Sequence, residues 1–262
     1  MKEKSAFFNN ANTISGVNEK DKKQQFDYLD CIRAFARATY KSIYVIDYME
    51  QGFEYVSDNP LFLCGNTAQQ VQEMGYGYYF TYVPEQDIEL LLKVNAVGFE
   101  FYEKIPLEER ASYSISYDFH LKNPEGKTIL VNQKLTPIFF TSEGKIWKAL
   151  CIVSLSSERA AGNIRIYKSG ENKICRYNLQ ENSWQTDQKM TLSDRETEIL
   201  QLSARGYTIN EIAQAIFISP DTVKFHRRNL FEKMRVNTMT EAIAYAVNNN
   251  LSVSWRVKPT KS

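Results

Sequence analysis

Lys224, Phe225 and Arg228 fall on one face of any helix that covers Pro220 to Met234, taking about 100° per residue. Asp221 and Glu232 share that side, while Val223, Leu230 and Met234 gather on the other as an apolar stripe. A helix of this composition would bury one face and offer two cations and an aromatic ring on the other. Lysine and arginine donate to guanine O6 and N7, and an apolar side chain touches a thymine methyl, so the outward face suits the major groove of DNA. The competing reading is a merely solvated charged face. What decides between them is the set of elements that would hold the helix in place.

Those elements are legible as cap spacings. Ser193 and Glu196 stand three apart, as a capping box requires, and predict a helix beginning at Asp194 with Ile199, Leu200 and Leu202 inward and Gly206 as its stop. Thr208 and Glu211 repeat the spacing ahead of Ile212, Ala213 and Ile216. Ser219 followed by Pro220 supplies a side-chain cap and a ring at the first helical position, where no N–H is needed. Two short helices joined by a tight turn at 217–219 make a helix-turn-helix.

The run Leu192-Ser-Asp-Arg-Glu196, Glu198-Ile-Leu200, Gly206-Tyr-Thr208, Asn210-Glu-Ile-Ala213, Ile218-Ser-Pro-Asp-Thr-Val-Lys224, His226 and Asn229-Leu230, with Lys233-Met234, resembles the LuxR-type helix-turn-helix of bacterial transcription regulators. The resemblance implies double-stranded DNA as partner. Lys224, Phe225 and Arg228 would meet base edges, and Thr208, Thr222 and Arg227 would meet phosphates. It also implies a fourth helix over 240–249, carrying Ala242, Ile243, Ala246 and Val247, of the kind that pairs two modules into a homodimer. Two positions depart from the pattern. Arg235 stands where a glycine commonly ends the recognition helix, and Ile209 where asparagine is usual. His226 projects to the edge of the apolar stripe and reads as a packed histidine.

The rest of the chain is long enough for a second core, since the whole has 262 residues. Tyr 16, Phe 15 and Trp 3 argue against extensive disorder. Residues 1–190 carry 22 basic and 24 acidic side chains and residues 191–262 carry 10 and 7, so the small positive excess sits at the C-terminal end. Neither a signal peptide nor a run of roughly 20 apolar residues is visible, so a cytoplasmic protein with no membrane partner is expected. Cys31, Cys64, Cys151 and Cys175 form no C-x-x-C pair, and His120 and His226 are far apart, so reduced thiols and no metal are expected.

Ahead of the module the periodicities give a helix over 21–40, with Phe26, Leu29, Ile32, Ala36 and Tyr40 as its stripe. A hairpin over 42–57 follows, then short helical pieces over 58–82, and a helix opened by Pro84 with Ile88, Leu91, Leu92, Asn95, Phe99 and Tyr102 on its apolar face. Three strands come next, over 113–121, 128–140 and 145–155, with Pro137 marking a bulge or edge position. A second hairpin spans 164–179 and a polar linker 181–189, where Trp184 would dock on one domain.

The order of two strands, helices and three strands resembles the PAS sensor fold over about residues 36–157. The expected class is therefore α+β. A PAS-like five-stranded antiparallel sheet with helices precedes an all-α four-helix LuxR-type domain. The expected division is an N-terminal helical segment at 1–35, the PAS-like domain at 36–157, hairpin and linker at 158–190, the DNA-binding domain at 191–251 and a tail at 252–262. No cofactor is expected. The helix after Pro84 lacks the axial histidine of haem-binding PAS members, and Cys64 lacks the motif of flavin photosensors. The run Tyr76 to Tyr82 offers rings and phenols either to the core or to a small-molecule pocket, and His120 reads as a sheet-surface residue. A phospho-acceptor receiver is disfavoured because strands and helices do not alternate.

The function expected is that of a sequence-specific DNA-binding transcription regulator with a PAS-like input or dimerisation domain. A sigma-factor-like promoter-recognition protein shares the helix-turn-helix but needs a helical core-binding region that residues 1–190 do not resemble. An enzyme or small-molecule-binding protein acting through the N-terminal domain ranks last, since no nucleophile, base and orienting group come together; no enzyme is expected.

Overall fold

A computed structural model describes residues 7–10, 12–22, 28–123, 125–249 and 251. Phe26 of the expected helix stripe, Pro124 between the strands expected over 113–121 and 128–140, and the tail at 252–262 lie outside the described residues. The chain divides into two compact units, residues 1–188 and residues 189–262.

The described residues of the first unit form eight strands: β1 (Ser42–Asp47), β2 (Gly52–Val56), β3 (Tyr113–Lys122), β4 (Thr128–Phe140), β5 (Ile146–Leu155), β6 (Gly162–Lys168), β7 (Lys173–Asn178) and β8 (Ser183–Gln188). They form one antiparallel sheet in the order β2-β1-β5-β4-β3-β6-β7-β8. The first five stand in the PAS order 2-1-5-4-3. Between β2 and β3 come α3 (Pro60–Leu63), α4 (Ala68–Met74), α5 (Gly77–Tyr82), α6 (Glu85–Glu103) and a 3-10 turn (Leu107–Ser112). Pro137 pairs with Ala149, and the β4–β5 register slips immediately after it, as a residue without an N–H demands.

Alternation along the strands sorts the core. Tyr44 of β1 and Tyr117, Phe119 and Leu121 of β3 point into one aromatic cluster with Phe62, Tyr79, Leu91 and Val94 of the helices. Tyr44 and Phe62 stack with centroids 4.3 Å apart. Inside this cluster the Tyr44 hydroxyl donates to Gln133 Oε1 at 2.7 Å and meets the Tyr79 hydroxyl at 2.6 Å, so the buried phenols and amide satisfy one another. Burial pushes the Tyr44, Tyr79 and Tyr117 hydroxyls well above the ordinary tyrosine range, which keeps them neutral.

Three expectations are corrected here. Residues 181–189 are not a free linker: Ser183–Gln188 is the edge strand β8, paired to β7 over its whole length, and Trp184 packs on Phe101 of α6 and Tyr177 of β7. Of the helix expected over 21–40, the described residues form α1 (Glu19–Lys22) and α2 (Tyr28–Ala38), with 23–27 outside the described residues; Leu29, Ile32 and Ala36 are half-buried as the stripe requires, but Tyr40 lies beyond α2 and is almost fully exposed. His120 is more than a surface residue. Its Nδ1 lies 2.8 Å from Asp87 Oδ2, and the same carboxylate accepts its backbone N–H at 2.6 Å, tying the first turn of α6 to β3.

Asp118 sits on the sheet with no exposure. Its Oδ1 accepts from Asn132 Nδ2 at 3.0 Å and from Ser156 Oγ at 2.7 Å, while Oδ2 has no partner among the described residues. Burial pushes this carboxyl up, outweighing the lowering by Ser156 and Asn132. A carboxyl raised in the folded state penalises folding in full above its folded pKa, and the penalty fades as the pH falls through that value. Asp118→Asn removes that charge and is therefore expected to gain more, relative to the parent, near neutral pH than at acid pH. Urea unfolding at the two pH values measures it.

The described residues of the second unit form four helices: α7 (Asp194–Ala204), α8 (Ile209–Ala215), α9 (Pro220–Met234) and α10 (Met239–Asn248). Ile199 and Leu200, Ile212, Val223 and Leu230, and Ala242, one or two from each helix, share a single core.

Candidate nucleic-acid interface

Local chemistry fixes each helix start in the second unit. Ser193 accepts from the Glu196 N–H while Glu196 reaches back to the Ser193 N–H at 2.8 Å, and Thr208 and Glu211 make the same reciprocal pair. Ser219 accepts from the Thr222 N–H at 3.1 Å, with Pro220 in the first turn. Glu196 also takes the Lys233 ammonium at 2.7 Å, which ties α7 to the end of α9. Burial works to raise the Glu196 carboxyl, but Lys233 and the Ser193 donors together outweigh it and hold it below the usual range.

With α9 anchored at both ends, its buried and open faces separate cleanly. Val223, Leu230 and Met234 are buried. Lys224, Phe225 and Arg228 are exposed together on the other side, Phe225 half in solvent at 50%. The Arg228 guanidinium lies 5.9 Å from the Phe225 ring centroid, so the two form one cation–π pair. Lys224 Nζ is held 2.9 Å from Asp221 Oδ1, an ion pair one turn back. Arg227 lies off this face, half-buried, with its guanidinium 6.0 Å from the Phe231 ring. Thr222 is half-buried, its hydroxyl 2.8 Å from that of Ser219, and Thr208 is exposed at the start of α8 with its hydroxyl donating to Glu211 at 2.8 Å. The six expected contact residues thus fall into a solvent-facing group on α9 and flanking groups at its first turn, its side and the start of α8.

The two departures from the family pattern are accommodated differently. Ile209 is half-buried against the four-helix core. Arg235 neither lengthens nor reshapes α9: it takes the left-handed conformation itself, with φ 55° and ψ 43°, and its N–H and that of Val236 close on Glu232 and Phe231. An L side chain there costs about 1 kcal/mol relative to glycine. Arg235→Gly is expected to raise the unfolding free energy of this unit by about 0.5–1 kcal/mol, read as a higher denaturant midpoint. Of the residues expected on the fourth helix, Ala242 and Ala246 belong to the unit's own core, Ile243 is half-buried and Val247 is 53% exposed.

The first unit holds a small cavity of about 60 Å³ between α6 and the sheet. Tyr76 and Tyr79 line it, as the aromatic run suggested, together with Leu91, Asn95, Tyr117 and Gln133. No charged side chain is among its described lining. Phe7, from the N-terminal segment, packs at its wall, and its carbonyl accepts from Asn12 Nδ2 at 2.6 Å and also from Asn95. Among the described residues no group of three or more His, Cys, Asp or Glu could hold a metal, and no helix is long and apolar enough to cross a membrane.

Comparison with known proteins agrees with the geometry of the second unit. Residues 190–246 match the family of bacterial regulatory proteins of luxR type. Response regulator protein VraR of Staphylococcus aureus (strain NCTC 8325 / PS 47) is 47% identical over 60 residues, which are 23% of this chain and 29% of VraR. The chain thus spans less than a third of the curated relatives it matches. Among solved structures, the VqmA dimer of Vibrio cholerae without its target DNA is 18% identical, covering 86% of this chain and 88% of that one at a TM-score of 0.31. A PAS domain from Colwellia psychrerythraea is 16% identical, covering 50% of this chain and 99% of that one at a TM-score of 0.36. The luxR-type match thus falls on the four helices α7 to α10, and the strands β1 to β5 that precede them in the chain stand in a PAS-like order.

Proposed function

We propose that the chain is a sequence-specific DNA-binding transcription regulator. Its DNA-binding domain spans 191–251, and its input domain is the PAS-like region 36–157 extended by the strands up to 188. The observation that carries this is the split of α9: Lys224, Phe225 and Arg228 open to solvent on a helix whose opposite face is locked into the core. Thr208, Thr222 and Arg227 act as phosphate contacts that set its register. The active form is a homodimer, and the exposed Val247 on α10 is part of the surface that pairs two DNA-binding domains. The protein works in the cytoplasm and is not an enzyme.

The input is a small uncharged molecule in the cavity beside α6. A volume of about 60 Å³ has room for about four waters, or a compact molecule of few atoms. The uncharged lining with phenol and amide groups would orient such a ligand through hydrogen bonds rather than ion pairs. Native mass spectrometry of the freshly purified protein reads the bound mass.

Selection from a pool of random duplexes with the full chain tests the main reading. A short, two-fold repeated motif with half-sites about one helical turn apart supports a dimer reading DNA. Retention of all sequences alike, or of none, counts against it.

A further inference from the structure

We propose that Asp221 is a specificity-determining residue that reads a cytosine in the major groove, beside the guanine read by Lys224. The inference rests on the reading of α9 as the recognition helix.

Asp221 lies at the centre of the open face. At 3.6 residues per turn it is about 20° from Arg228, about 40° from Phe225 and about 60° from Lys224. Its side chain is 89% exposed, and it stands in the first turn of α9, the part of a recognition helix that reaches base edges. The helix start does not depend on it, because Ser219 supplies the cap. A carboxylate there faces a groove walled by phosphates, which opposes binding unless it finds a donor.

The major groove offers two kinds of donor, the amino groups of adenine and cytosine. Adenine places an N7 acceptor beside its amino group, so the second oxygen of a carboxylate would meet a lone pair. Cytosine presents its N4 amino group with no acceptor next to it, and is the edge a group with acceptors only can satisfy. Guanine O6 and N7 and thymine O4 repel it. In the free chain the Lys224 ammonium occupies Asp221, at 2.9 Å. On DNA the two separate, lysine to guanine O6 and N7 and aspartate to a cytosine N4. Residues three apart on a helix are about 5–6 Å from each other, and base pairs rise by about 3.4 Å, so the two bases belong to adjacent or nearly adjacent pairs.

The replacement Asp221→Asn sharpens this, since a carboxamide carries one donor and one acceptor and matches adenine N6 and N7. The duplex selection is run with the full chain, the D221N variant and the D221A variant, with thermal melting to establish that each is folded. The wild type is expected to prefer cytosine at one position by about tenfold or more. D221N should move that preference to adenine, and D221A should flatten that position alone. The same motif from all three proteins, with the variants binding every sequence more tightly, would show that Asp221 only shields Lys224 or favours the helix dipole, and the proposal would be wrong. A wild type that enriches no motif overturns the DNA-reading role itself, and this proposal with it.

Discussion

Lys224→Ala and Arg228→Ala are each expected to lower affinity for the selected site by about ten- to a hundredfold while changing affinity for unrelated duplexes far less. The difference follows from where the two cations stand. Both are exposed on the open face of α9, and each can place donors on guanine O6 and N7, contacts that exist only at the right base. Arg228 should be the more sensitive of the two, since its loss also removes the cation–π partner of Phe225. Arg227 makes the contrast. Its guanidinium lies over Phe231, off the open face, so Arg227→Ala should weaken binding to all sequences alike and reduce the salt slope by about one counterion. Titrations at several salt concentrations, with selected and scrambled duplexes, separate the two behaviours.

The largest expected effect on stability is at Leu230. It has no exposure and sits where α9 meets the rest of the four-helix core. Leu230→Ala should cost about 2–5 kcal/mol through lost burial and the cavity left behind. A domain of this size has only a few kcal/mol in reserve, so the second unit should unfold at ordinary temperature and DNA binding should vanish. The first unit has its own core and should keep its cooperative melt. Calorimetry of the variant should therefore show one transition lost and one retained.

The helix-turn-helix was legible from sequence because its determinants are local. Ser193 with Glu196, Thr208 with Glu211, and Ser219 with Pro220 each fix a helix start within four residues, and the structure starts helices immediately after all three caps. The PAS-like order was readable for a related reason: β3 alternates from Tyr113 to Leu121, Pro137 marks the bulge late in β4, and Gly144 turns β4 into β5. What sequence could not show depends on partners far along the chain. The segment 183–188 reads as linker because it is polar, yet a polar strand is what a solvated sheet edge tolerates, and its pairing with β7 makes it one. Lys148 is 1% exposed, held by Asp47 at 3.1 Å and Glu54 at 2.7 Å from β1 and β2, partners no local spacing brings together. Asp87 and His120 meet across 33 residues of sequence. At the interface itself the open face was readable from periodicity, whereas the Lys224 to Asp221 and Arg227 to Phe231 contacts depend on rotamers that no spacing dictates.

The central claim is that the open face of α9 enters the major groove and reads base edges. Methylation interference on the selected duplex tests it most directly, because guanine N7 lies in the major groove and adenine N3 in the minor groove. Methylation at the N7 of the guanines in the enriched motif is expected to abolish binding by the full chain, and methylation at adenine N3 within the same half-sites to leave it largely intact. Binding that ignores N7 methylation throughout the motif, or that fails only with N3 methylation, would contradict the placement of Lys224 and Arg228 on the bases.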